Sequence, residues 1–152
     1  MANGKRRFQY LPEYQHLNMP IPQRKTLRSA GYDIAAAFVN PYERRVISPG
    51  GIDLIPTGLT VYDMEDDDEL QIRSRSGLAW KNGIIVANSP GTIDADYEGQ
   101  HIQVLLHNVS DTDFVVTCGM RIAQGVFSKV HFTLLDCPDE VVRRGGFGHT
   151  GV

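Results

Sequence analysis

The sequence predicts an all-β protein, on three observations. Short runs rich in β-branched and aromatic residues recur along the chain, clusters of Gly, Pro, Asn and Asp separate them, and one stretch alone shifts toward helix. A length of 152 residues suits one domain with a real core. Residues 1–152 therefore read as a single unit, without repeats.

In chain order, the predicted strands are 36–39, 45–47, 58–62, 70–73, 102–106, 113–117 and 125–130. Asn40-Pro41, Ser48 to Gly51, Pro56-Thr57-Gly58, Asn108 to Thr112 and Cys118-Gly119 punctuate them. Many short strands at close spacing indicate a sandwich, jelly roll or small barrel. Ser76 to Asn82 suits one or two helical turns, with Ser76 as N-cap and Gly83 as stop. Ser89-Pro90-Gly91-Thr92 reads as a type II turn, because proline presets the first central position and glycine tolerates positive φ at the second. Ile84 to Val86 and Ile102 to Val104 flank it, which predicts a hairpin. From about Glu140 onward no apolar period survives. Residues 140–152 read as a flexible, glycine-rich C-terminal arm carrying one ring, Phe147.

Composition excludes several classes. A hydrophobic fraction of 41% and a charged fraction of 22% are ordinary for a soluble protein. A net charge of -3 argues against broad capture of nucleic acid. No run approaches membrane-spanning length, and the basic N-terminus is followed by no apolar signal core. Cys118 and Cys137 lack zinc-ligand spacing, which suits reduced thiols and a cytoplasmic setting.

The predicted hairpin concentrates chemistry. It carries Asn88 on one arm and Asp94, Asp96 and Tyr97 on the other. An amide, two carboxylates and a phenol around one turn can read a base edge, stack on a sugar and hold a water. Asp96, two residues from Asp94, is expected on the same strand face as a support rather than a catalyst. Arg75-Ser76-Gly77 at a helix mouth suits phosphate, through backbone N–H groups and a guanidinium; a capped surface helix is the alternative. Arg121 and Gln124 point to polar surroundings, with a structural salt bridge as the default for Arg121. The segment from Gly145 to Gly151 reads as either disorder or a lid. Asp66 to Glu69 lacks the spacing of a calcium loop and reads as a solvated turn. His101 and His107 are expected to be solvated or satisfied, Trp80 partly buried, and Asp33 a positioning group.

Five motifs taken in order resemble the trimeric dUTPase family: Ala30-Gly-Tyr-Asp-Ile-Ala-Ala36, Arg75-Ser-Gly-Leu-Ala79, Gly91-Thr-Ile-Asp-Ala-Asp-Tyr-Glu-Gly99, Gly119-Met-Arg-Ile-Ala-Gln124 and Gly145-Gly-Phe-Gly-His-Thr-Gly151. They span nearly the whole chain. The resemblance implies a β-clip, jelly-roll-like subunit in a homotrimer with shared sites. It implies Mg²⁺-dependent hydrolysis of dUTP to dUMP and pyrophosphate, which keeps uracil out of DNA and supplies dUMP for thymidylate synthesis.

The roles it implies are specific. Asp94 activates the attacking water, and Tyr97 packs on deoxyribose. The backbone beside Asn88 pairs with uracil, and Thr92, Ile93 and Ile102 complete that pocket. Arg75, Ser76, Gly77 and Gln124 contact phosphate. Phe147 stacks on uracil, with Gly148 beside it, when the arm closes over a neighbouring site. Asp33 and Asp96 support, and Mg²⁺ rides on substrate phosphates and waters, with no direct protein ligand.

Two positions depart from the pattern. Val142 stands where the arm's arginine is usual, leaving Arg143 (or Arg144) to take the role, and Met120 replaces a polar residue. The deaminase of dCTP shares the implied fold but wants a glutamate as base, whereas Asp94, Tyr97 and the arm match the hydrolase. A catalytically retired nucleotide-sensing or protein-binding module is a third reading, and the intact Asp94 speaks against it.

Overall fold

The computed structural model describes residues 6–133. The expectations for Cys137 and for the arm with Arg143, Phe147 and Gly148 lie outside them. Two four-stranded antiparallel sheets face one another across the core. The first has the order β1 (Arg7–Tyr10), β4 (Ile52–Tyr62), β8 (Ile102–Asn108), β6 (Ile84–Val86). The second runs β2 (Tyr32–Ala35), β10 (Arg121–Lys129), β5 (Asp68–Arg73), β7 (Gly91–Asp94). A separate pair joins β3 (Arg44–Ile47) to β9 (Phe114–Thr117), and one helix, α1, spans Ser76–Asn82. The two-layer, all-β class is as expected.

Period-2 alternation builds the core. On β8, Ile102, Val104 and Leu106 are buried while Gln103, Leu105 and His107 face outward. Across from them, Leu70 and Ile72 of β5 and Ile34 of β2 are buried from the other sheet. Asn108 closes the β8 stripe as a buried amide, and it is fully engaged. Its Nδ2 donates to the Ile47 and Thr112 carbonyls at 2.8 and 2.7 Å, and its Oδ1 accepts from Ser110 N–H at 3.0 Å.

Several local expectations are corrected. Residues 36–39 form no strand; the strand is the preceding Tyr32–Ala35. Ala36 N–H donates to the Met120 carbonyl and Ala37 N–H to that of Pro56, so Ala36 to Phe38 form a buried crossover between the sheets, while Val39 is exposed. β4 runs straight through Pro56-Thr57-Gly58, which read as a separator. The register shifts between Pro56 and Leu59, and a bulge absorbs the proline and the positive φ of Gly58 (67°). β1 and a 3₁₀ turn at Pro12–Leu17 had no counterpart among the predicted elements. Ser76 is not the N-cap: Arg75 holds that place in extended conformation, with no side-chain cap. Gly83 does stop the helix, with φ 62°. The Ser89–Pro90 peptide is cis, Gly91 is not left-handed, and no type II turn forms. The predicted hairpin arms do not pair with each other: residues 84–86 pair with the far end of β8, Ile85 opposite His107, residues 102–104 pair with β4, and β7 leaves to pair with β5 in the other sheet.

The stretch Asp66 to Glu69 is not merely a solvated turn. Asp68 starts β5 and is 3% exposed. Arg6 clasps it with two hydrogen bonds of 2.5 Å, and Lys129 Nζ lies 3.1 Å away. Burial pushes the Asp68 carboxyl up, but Arg6, the Glu65 N–H and Lys129 outweigh it and hold it at about 2. Trp80 is 90% exposed rather than partly buried, since α1 has no buried residue and nothing described here covers its outer face.

Candidate active site

Three predicted segments meet around one small cavity. Its volume is about 170 Å³, and Asn88, Gly91, Thr92, Ile93 and Tyr97 line one side. Ile72, Val86 and residues 103–105 of β8 line the other. The excursion of β7 to the second sheet opens this space where β7 parts from β8, whose outward Gln103 and Leu105 border it. A cavity of roughly 150 Å³ holds one benzene ring, so this one suits a single planar heterocycle. Gly91 lets the chain close tightly: a Cβ there would lie 3.4 Å from Asn88 Nδ2 and 3.4 Å from Ile72 Cβ. Ile102 does not line the cavity. It is fully buried in the core, opposite Leu59, and Gln103, Val104 and Leu105 take the place expected for it.

Tyr97 forms part of the wall. It is 8% exposed, and its hydroxyl donates to the His101 carbonyl at 3.1 Å. Asp94 ends β7 half-buried, and residues Ala95–Tyr97 coil into a 3₁₀ turn. Asp96 therefore does not share a strand face with Asp94, because the strand has already ended. Both carboxylates nonetheless open onto one larger cavity of about 520 Å³, with Met64, Asp66, Asp68 and Glu98.

A second constellation gathers motifs far apart in sequence. β10 lies between β2 and β5, with Gln124 opposite Asp33 on one side and Arg73 on the other. Asp33 accepts from Arg121 at 2.8 Å, Arg75 Nε is 3.3 Å from it, and Lys25 Nζ is 3.8 Å away. Arg75 also donates to the Arg121 carbonyl at 3.0 Å. Asp33 thus orients two guanidinium groups, and the salt bridge expected for Arg121 is present. Gln124 donates to the Ser74 carbonyl at 3.0 Å and lies over Gly31, where any Cβ would run into its Oε1. Ser76 and Gly77 are exposed in the first helical turn, where backbone N–H groups have no intrahelical acceptor. Gly31, Ser74 and Lys25 were not singled out from sequence. Only Gly31 carried a signal, as the glycine preceding Tyr32-Asp33.

The cavity and this second constellation adjoin along β5, with Ile72 in the cavity wall and Arg73 opposite Gln124, but Asp94 is set well apart from Arg75. Asp94 pairs with Glu69 at one end of β5, whereas Arg75 follows its other end. Six residues of extended chain separate the two levels, roughly 20 Å.

The sequence profile of the dUTPase family matches residues 17–151. The chain belongs to the dUTPase family. A Rickettsia bellii protein named deoxyuridine 5'-triphosphate nucleotidohydrolase is 50% identical over 136 residues, 87% of each chain. The crystal structure of the dUTPase from Streptococcus mutans superposes with a TM-score of 0.72 at 35% identity, covering 83% of this chain and 97% of that one. The fold of a phage phi11 dUTPase of S. aureus, described with a structural Mg(II) ion, is also similar: TM-score 0.71, 21% identity, 90% of this chain and 98% of that one.

Metal binding can be weighed on this dUTPase-family chain itself. Glu65, Asp67 and Asp68 bring carboxylate oxygens within 4.8 Å of one another. Lys129 pairs with all three and Arg6 clasps Asp68, so cations of the protein already occupy that cluster. Around Arg75 and Gln124 the donors are cationic or neutral, apart from Asp33, which the arginines engage. That donor set suits an anion. Among the described residues, no helix is long and apolar enough to cross a membrane.

Proposed function

We propose that this chain hydrolyses dUTP to dUMP and pyrophosphate, as a homotrimer whose sites each combine residues from neighbouring copies, in the cytoplasm. The observation that carries the reading is the ring-sized cavity walled by Tyr97, beside Asp94, in a chain 50% identical to a deoxyuridine 5'-triphosphate nucleotidohydrolase.

Uracil enters the cavity beside Asn88, Thr92 and Ile93, where backbone donors and acceptors distinguish it from cytosine. The wall at Gly91 and Ile93 leaves no room for a 5-methyl group. Tyr97 packs on the deoxyribose and fills the space of a 2′-hydroxyl. Asp94 accepts a proton from a water that attacks the α-phosphorus. The bond from that phosphorus to the α–β bridging oxygen breaks, and pyrophosphate leaves. Positioned proton transfer of this kind contributes roughly 10²–10⁴-fold. Asp96 supports the turn that carries Tyr97.

Asp94 lies level with Glu69 and Arg75 lies beyond the other end of β5, roughly 20 Å along the strand, so the base and the phosphate cradle that act on one nucleotide come from different copies. In a closed ring the triphosphate meets Arg75, Ser76, Gly77 and Gln124 of a neighbouring copy, with Asp33 holding Arg75 in place. Mg²⁺, held by the phosphates and waters, would neutralise charge on the leaving pyrophosphate. The arm, through Arg143, Phe147 and Gly148, closes over a neighbour's site and excludes bulk water. Incubation with each deoxynucleoside triphosphate and Mg²⁺, with pyrophosphate and monophosphate measured, tests the reading. Turnover confined to dUTP is expected. Ammonia from dCTP, or no product from any nucleotide, refutes it.

A further inference from the structure

His101 is bonded at two points that no catalytic role has absorbed. Its backbone carbonyl accepts the Tyr97 hydroxyl at 3.1 Å, and its imidazole Nε2 accepts the Gly58 N–H at 3.0 Å. Gly58 lies in the β4 bulge with φ 67°, and the Tyr14 ring packs against both partners. A Cβ on Gly58 would lie 2.5 Å from Tyr14 Cγ, and the Tyr14 and His101 ring centroids are 5.3 Å apart. One residue on, the Thr57 hydroxyl donates to the Ile102 carbonyl at 2.5 Å. The bulge therefore clamps the strand entry at residues 101–102, and that entry holds the hydroxyl of Tyr97.

We propose that His101 is a positioning residue for Tyr97: its neutral ring, anchored on the β4 bulge, fixes the carbonyl that holds the Tyr97 hydroxyl and so sets discrimination between deoxyribose and ribose. This rests on the reading of Tyr97 as the group that fills the 2′-hydroxyl space. The chemistry is a matter of lone pairs. Nε2 can accept from Gly58 only when it carries no proton, so the ring proton sits on Nδ1. An imidazolium presents N–H to N–H, and the clamp opens. Burial pushes the His101 proton affinity below its ordinary value, against an opposing pull from Glu13 on the Pro12–Leu17 turn. Tyr14 of that turn, whose hydroxyl is pushed up by burial, and Tyr97 also face His101.

The experiment compares kcat/KM for dUTP and UTP between about pH 5 and 8. Wild type should lose roughly five- to tenfold in the dUTP/UTP ratio at the acid end. His101→Gln, whose amide oxygen can accept from Gly58, should keep the neutral-pH ratio and flatten its pH dependence. Tyr97→Phe, which removes only the hydroxyl, should lower the ratio at every pH. The same acid loss in His101→Gln as in wild type, or a wild-type ratio in Tyr97→Phe, overturns the proposal. A ratio unchanged in Tyr97→Ala would instead sink the sugar-reading role on which the proposal rests. A nitrogen NMR titration of the wild-type protein separates the two failures. It should find His101 Nε2 unprotonated at neutral pH, with the Gly58 amide shifting as the ring titrates; an Nε2–H ring at pH 7 overturns the clamp whatever the turnover shows.

Discussion

Asp94 and Asp68 are carboxylates a few ångströms from one cavity, yet they answer different tests. Asp94→Asn should retain the fold and bind a non-hydrolysable dUTP analogue, while pyrophosphate release falls by about two decades or more. Near-normal release would remove Asp94 from the role of base. Asp68 instead contributes to stability. Its carboxyl is held at about 2, below the ordinary 3.8, so the ionised form is favoured by folding. That contribution is fully present above pH 3.8 and is lost as pH falls toward 2. It is worth roughly 2 kcal/mol. Urea unfolding should show a steep loss of stability between pH 4 and 2, and Asp68→Asn should flatten that slope. An unchanged slope would mean that Arg6 and Lys129 do not stabilise this carboxylate in solution.

At the scale of elements, the β4 bulge and the β7 excursion do most to shape the site. The bulge places Thr57 and Gly58 against residues 101–102, and the excursion opens the cavity that Tyr97 walls. Gly58→Ala combines a left-handed backbone with a clash against Tyr14. It should cost about 2–6 kcal/mol, summing backbone strain and overpacking. Thermal denaturation at constant pH checks this, and a melting temperature within a degree of wild type would show that the bulge is not rigid. Neither feature was legible from sequence. Pro56-Thr57-Gly58 carries the composition of a turn, and only pairing to β8 turns it into part of a strand. Ser89-Pro90-Gly91-Thr92 reads as a local reverse turn, but Gly91 is captured by β5, a competition between distant partners that local propensity cannot register.

The separation of Asp94 from Arg75 along β5 makes assembly the decisive property of the whole molecule. Light scattering should give about three times 16.9 kDa at micromolar concentration. A fully active monomer is incompatible with a shared site. Complementation is a sharper test: Asp94→Asn and Arg75→Ala chains, each inactive alone, should regain about one quarter of wild-type activity when co-refolded in equal amounts. That fraction follows from random pairing of an intact Asp94 with an intact neighbouring Arg75 in a closed ring. No recovery would place both halves of the site in one chain. Truncation before Gly145 should lower kcat strongly while leaving the assembly and its melting temperature nearly unchanged.

The sequence alone determined the all-β class, the place and length of α1 and the family to which the chain belongs. Those properties reside in side-chain type, short-range periodicity and the order of five motifs, all of which are local. It also marked Asp33 as a support, although nothing local said that Arg75 and Arg121 would be what it holds. Tertiary structure decided the rest. It turned Ala36 to Phe38 into a buried crossover by offering N–H groups one acceptor at Met120, just before β10, and another at Pro56 on β4. It buried Asp68 by supplying Arg6 from the far end of the chain, and it left Trp80 exposed by placing no described element over α1. It moved Ile102 into the core and brought Gln103 and Leu105 to the cavity in its place. A strand's periodicity fixes which residues alternate, but only the packing of one sheet on the other decides which face is the inside.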